Sequence, residues 1–173
     1  MKFDLDQATQ VLSATPATLR SLLSGLGSEW TSTSSDATDW QPFDIVGHLV
    51  HGDETDWIPR AKMILGQGTN KTFEPFDRFA QFEKSSGKSL DDLLDEFERI
   101  RASCVDTLQE WSLTPEQLDL KAIHPELGEV TLSQLLATWV VHDLNHIRQI
   151  VIAMARRYDT EVGPWKQYLS ILK

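Results

Sequence analysis

His142 and His146 stand four residues apart in a segment, Leu132 to about Tyr158, whose apolar residues recur at helical spacing. In a helix that interval sets both imidazoles on one face, one turn apart, with roughly 5 to 6 Å between β-carbons, so both can reach one metal ion. Leu132, Leu135, Trp139, His142, His146, Gln149 and Ala153 keep a three-four rhythm, so the pair continues an inward-facing stripe that begins apolar. The plainer account of such a pair is two buried neutral histidines hydrogen-bonded to backbone or carboxylates. Two ligands hold a metal weakly, and a metal site therefore needs a third from elsewhere in the chain. Cys104 is the only cysteine, which excludes a thiolate cluster and an internal disulfide and leaves nitrogen and oxygen ligands. Its spacing from Ile100 and Leu108 is that of a small buried core residue.

The second helix offers His48 and His51. On a helical wheel its apolar arc runs through Val46, Leu49, Val50, Trp57 and Ile64, and His48 falls off the centre of that arc, beside Gly52 and Thr55. Periodicity therefore does not select a third ligand. His48 fits a pocket between helices, and His51 reads as a solvated residue. Other metal and nucleophile motifs are missing. A ferritin-like site wants Glu-x-x-His on each of two helices, and only Asp143-x-x-His146 approximates it. H-E-x-x-H, G-x-S-x-G and a phosphate-binding glycine loop do not occur.

The elements that must position these residues are helical. Asp4 to Leu26 carries Leu5, Ala8, Leu12, Leu19, Leu22 and Leu23, and Thr15-Pro16 reads as an N-cap and first-turn proline that start a new helix after a short lead-in. Glu29 to Asp39 has loop chemistry. A second helix is expected from about Phe43 to Leu65, kinked at Pro59 and ended by Gly66-Gln67-Gly68. Gln67 to Gly87 reads as a long loop that packs Phe73, Phe76, Phe79 and Phe82 over one end of the core. Ser89, with Asp92 three residues on, opens a third helix to about Trp111, and Thr114-Pro115-Glu116 starts a short helical turn. Lys121 to Val130 reads as a connecting loop, Thr131 caps the last long helix, and Trp165 to Leu172 forms a short amphipathic tail. No segment reads as a strand. The pattern predicts an all-α protein, a four-helix bundle with short extra helices, in one domain spanning residues 1–173.

Composition bounds the function classes. The 173 residues carry 26 acidic against 16 basic side chains, a formal charge of -10, which repels phosphate backbones and anionic membrane surfaces. No run approaches the ~20 apolar residues of a membrane span, and the opening Met1-Lys2-Phe3-Asp4-Leu5-Asp6 lacks the basic and apolar parts of a secretory leader. These features predict a soluble cytoplasmic protein with no nucleic-acid or membrane partner.

The run Trp40 to Gly52, reading WQPFDIVGHLVHG, and the run Trp139 to Ile150, reading WVVHDLNHIRQI, resemble the DinB/YfiT-like superfamily. Leu127 to Leu132 is similar to the lead-in to its last helix, and Thr15 to Leu19 matches its first, so the likeness covers nearly the whole chain. The resemblance implies an up-down-down-up four-helix bundle in which one histidine of the second helix and an H-x-x-x-H pair of the fourth bind a divalent metal, usually zinc or nickel. Those ligands would be His48, His142 and His146.

Three neutral imidazoles leave a metal its full charge and an open position, the arrangement of a catalytic rather than a closed structural site. The resemblance also implies small-molecule substrates, low-molecular-weight thiols among them, a transferase or hydrolase reaction, and a homodimer. Trp165, Tyr168, Leu169, Ile171 and Leu172 fit a self-association surface or packing over the bundle. Asp53, Glu54 and Asp143 are the nearest acidic residues in sequence, and they read as solvated charges or partners of the ligands sooner than as a general base. The alternative is a non-catalytic binding or stress-related module in which a metal only braces two helices.

Overall fold

The computed structural model describes residues 2–32, 39–66 and 72–173. Four long helical arms form the bundle expected from the apolar periodicity: α1 (Leu5–Leu23), α3 (Pro42–Thr55) continued by α4 (Trp57–Gly66), α6 (Leu90–Glu110) and α8 (Leu132–Arg156). The short helices are α2 (Ser28–Thr31), α5 (Ala80–Ser85) and α7 (Pro115–Leu118), and two 3-10 turns, Gly163–Tyr168 and Ser170–Leu172, make the tail. α1 packs on α6 and α8, and α3 packs on the same two helices from the other side, so α1 and α3 are diagonal neighbours. The first and second arms are thus diagonal while the second and third pack together, and the second and fourth arms, which carry the histidines, lie side by side. Among the described residues no helix is long and apolar enough to cross a membrane.

Pro16 does not start a new helix. α1 runs unbroken through it, although a proline has no N–H to give the carbonyl four residues back. That carbonyl belongs to Leu12, and Nη1 of Arg101 donates to it at 3.0 Å. A tertiary partner thus takes the acceptor that the proline leaves free, and the helix need not end. Pro59 acts more strongly: the second arm breaks at Asp56, and Pro59 falls in the first turn of α4, where a missing N–H costs nothing.

The expected loop between α7 and α8 is a β-hairpin. β1 (Lys121–His124) and β2 (Gly128–Thr131) pair antiparallel, with Lys121 opposite Thr131 and His124 opposite Gly128. Four-residue strands are too short for an alternation to show, and Pro125 with Gly128 gives only turn signals. Gly128 has φ +77°, which an L side chain rarely adopts. Phe73 N–H donates to Ile123 O at 2.9 Å, fastening the aromatic segment after α4 to the hairpin's outer edge.

That segment is also more structured than a loop, since α5 occupies Ala80–Ser85. Phe73 is buried, Phe76 and Phe82 are half-buried, and Phe79 is exposed; residues 67–71, including the proposed stop after Gly66, lie outside the described residues. Part of the expected Glu29 to Asp39 loop forms α2, and 33–38 of it fall outside the described residues as well. The tail contacts α8 through its last turn and leaves Trp165 and Tyr168 largely exposed.

α5 approaches α3 at Gly47, next to His48. A β-carbon there would stand 2.5 Å from Ser85 Oγ and 2.7 Å from Gln81 Oε1, both buried residues. Gly47→Ala is expected to force α5 outward at a cost of about 1–3 kcal/mol, read as a lower melting temperature. An unchanged melting temperature would show that Ser85 and Gln81 move aside freely.

Candidate metal centre

α3 and α8 both start from defined caps. Asp44 Oδ2 accepts from the Gln41 N–H at 2.9 Å with Pro42 in the first turn, and Thr131 and Gln134 cap α8 reciprocally at 2.9 and 3.2 Å. His48 lies mid-helix in α3, and His142 and His146 lie mid-helix in α8, where backbone hydrogen bonds on both sides hold them rigidly.

The structure brings these three together. His142 Nε2 lies 3.2 Å from His48 Nε2 and 3.0 Å from His146 Nε2, and one ring nitrogen from each residue falls within 4.8 Å of the others. His48 and His146 are each 6% exposed, and His142 is somewhat more open. Aromatic rings wall the cluster: Trp40 and Phe76 stand 5.0 and 5.6 Å from the His48 ring, and Trp57 stands 5.0 Å from His142. Trp57 in turn stacks on Trp139 at 5.6 Å. On the open side a cleft of about 1160 Å³ reaches His48 and His146.

The donor set fits a cation. Gln149 Oε1 lies 2.7 Å from His146 Nδ1; an amide oxygen only accepts, so the proton sits on Nδ1 and Nε2 presents a lone pair to the cluster. An imidazole nitrogen has one proton or one lone pair, so three of them at these distances cannot all satisfy each other. A cation at their common focus accepts all three, and tetrahedral ligands at ~2.0–2.1 Å stand about as far apart as these nitrogens do. His48 Nδ1 and His142 Nδ1 are buried without a protein partner.

Burial holds the rings neutral. It pushes His48 down to about 3 and His142 to about 2, helped by the charges that neighbouring histidines would carry, and it lowers His146 against the pull of Gln149 and Asp143. In the unfolded chain these rings take protons near 6.5, so acidification below that value favours unfolding, and the stability present above it is lost as pH falls. Asp53 acts oppositely: burial pushes it up to about 6, so its contribution declines as pH rises through that range. Two strongly displaced imidazoles outweigh one carboxyl. The metal-free protein is expected to lose at least about 2 kcal/mol between pH 7.5 and 5.5, measured by urea unfolding. Equal stability at the two values would mean that water reaches the rings.

His51, expected to be solvated, is buried at 6% exposure. Its Nε2 meets the Asp77 carbonyl at 3.1 Å and its ring lies 5.1 Å from Phe76, so it anchors the segment that closes over His48 instead of joining the cluster. The three carboxylates nearest in sequence are committed elsewhere. Glu54 pairs with Lys84 at 2.9 Å. Asp53 and Asp143 both bind Arg101, which is 1% exposed and spends all five N–H donors on these two carboxylates and on Leu12 O. Burial opposes the Arg101 charge, but the two carboxylates outweigh it and raise its pKa. Trp139 Nε1 donates to Asp53 Oδ1 at 3.2 Å and the Cys104 thiol points at Asp53 O, so one network joins all four arms. Burial, then the Asp53 charge, pushes the Cys104 thiol up to about 12, which suits the core role expected of it.

Arg101 was open to sequence reading. It sits on the stripe Phe97, Arg101, Cys104, Leu108, as Asp53 sits between Leu49 and Trp57, and as Asp143 sits between Trp139 and His146. Three charges at apolar registers, of complementary sign, are the mark of such a network.

Comparison with known proteins agrees with this architecture. A search of curated proteins finds no match. A solved structure, YfiT from Bacillus subtilis, described as a probable metal-dependent hydrolase with an unusual four-helix bundle topology, is similar at a TM-score of 0.74 and 25% identity, over 88% of this chain and 87% of that one. The profile of the DinB superfamily matches residues 12–150, a span that holds all three clustered histidines. On that match, the chain belongs to the DinB superfamily.

Proposed function

We propose that His48, His142 and His146 hold one divalent ion, zinc or nickel, and that the protein is a metal-dependent hydrolase of a small molecule. The observation that carries this reading is the convergence of three neutral imidazole nitrogens from two helices on one point. Imidazole suits both metals, and three such ligands leave coordination open. When bound, the ion supplies a Lewis acid that lowers the pKa of water or of a thiol beside it. The description of the YfiT structure supports hydrolysis, and the same ligands would serve transfer to a low-molecular-weight thiol.

The chain's own residues bind and orient. Burial keeps the imidazole lone pairs free of protons at neutral pH, Gln149 fixes the His146 tautomer, and Trp57 and Phe76 exclude water on the closed sides. Because Arg101 engages Asp53 and Asp143, those carboxylates set the frame and take no proton from substrate.

The test is a panel of esters, amides and thiol acceptors, run on zinc- and nickel-loaded protein, on chelator-treated protein and on His146→Ala. Activity that needs both the metal and His146, with the fold kept, supports the reading. Activity indifferent to chelation and to His146→Ala would refute it, and metal uptake with no turnover across the panel would favour a metal-braced binding module.

A further inference from the structure

We propose that the substrate is a small organic oxyanion, recognised at the mouth of the cleft by Arg78 and Arg148; this rests on the reading of the histidine cluster as the reactive centre. The chain as a whole is acidic, with 26 acidic and 16 basic side chains. Around the cleft the sign reverses. Arg78, Arg148, Arg156 and Lys166 line it, against the carboxylates of Asp39 and Asp159. Both acids are already matched: Lys166 Nζ lies 2.5 Å from Asp159, and Arg156 Nη1 lies 4.0 Å from Asp39. Arg78 and Arg148 have no carboxylate partner among the described residues. The Arg78 guanidinium lies 5.0 Å over the Phe79 ring, a contact that leaves its N–H edge free.

Arg78 and Arg148 are exposed to the same cleft that reaches His48 and His146. A divalent ion held by three neutral imidazoles would add positive charge there, with no carboxylate ligand to offset it. An oxyanion in the cleft would meet both charges at once. Guanidinium edges match the paired oxygens of a carboxylate or phosphate, and Trp40 and Ile45 give the organic part an apolar wall. Screening confines surface fields to roughly 8 Å at physiological salt, so attraction at the mouth can overcome the repulsion of the acidic surface only from residues placed there.

Calorimetric titration tests this with matched probes: succinate against succinamide, and glycerol 3-phosphate against glycerol. Wild type and Arg78→Gln/Arg148→Gln are each titrated metal-free and zinc-loaded, with zinc content measured on the same samples. At least one anion is expected to bind wild type about tenfold or more tighter than its neutral partner, and the pair showing the preference identifies carboxylate or phosphate. The preference should fall to near parity in the double variant and in high salt, while zinc content stays equal. Parity in wild type for both pairs, or a preference that survives in the double variant, overturns the inference with the metal reading intact. Should wild type take up no zinc, the metal reading fails, and the metal-free titrations still decide the anion preference.

Discussion

Arg101→Met is expected to destabilise the protein by about 3–5 kcal/mol, a fall in melting temperature of roughly 6–20 °C for a chain of this length. The guanidinium is 1% exposed and is the shared partner of Asp53 and Asp143, whose side chains are fully buried. Methionine fills much of the same volume, so the loss comes from electrostatics. Two carboxylates would face each other without a counter-charge, and Leu12 O, already deprived of a helical donor by Pro16, would lose its partner. Changing Asp53 and Asp143 to apolar residues in the same background should restore much of the stability, because a buried ion network is costly chiefly when half of it is removed. Thermal and urea unfolding of the single and triple variants decide this. A loss below about 1 kcal/mol for Arg101→Met would show that water enters the network, since exposed pairs are worth no more than that.

His142→Ala is expected to abolish stoichiometric metal in the purified protein while leaving its circular dichroism unchanged. His142 is the central ring of the cluster, with its Nε2 within 3.2 Å of both others. Losing an outer hydrogen-bond partner costs about 10- to 100-fold in metal affinity, and losing a ligand must cost more than that. The fold should survive, because α3 and α8 are joined independently through Asp53, Arg101, Asp143 and Trp139. Elemental analysis of wild type and variant, prepared side by side, reads the outcome. Equal metal content would place any bound ion elsewhere.

Much of the bundle was legible because helix formation is local. Caps at Ser89, Thr114 and Thr131 mark starts that the structure keeps, and the stripes on α6 and α8 fall where their apolar spacing put them. Two departures share a cause. The hairpin at Lys121–Thr131 is made by pairing across a turn, and α1 passes Pro16 with help from Arg101, which lies 89 positions from the Leu12 carbonyl it serves. Neither partner can be seen from the local pattern.

The site divides the same way. Sequence alone determined that His142 and His146 share a face, since the helical period fixes that wherever the helix lies, and it excluded a thiolate cluster by supplying one cysteine. Tertiary structure decided between His48 and His51. Three residues apart, they differ by only roughly 60° around the helix, and both are buried. One side of that small angle faces α8, and the other faces the segment anchored at Asp77. The azimuth at which two helices meet is set by how their side chains pack against every neighbour at once, and no single helix's period contains it.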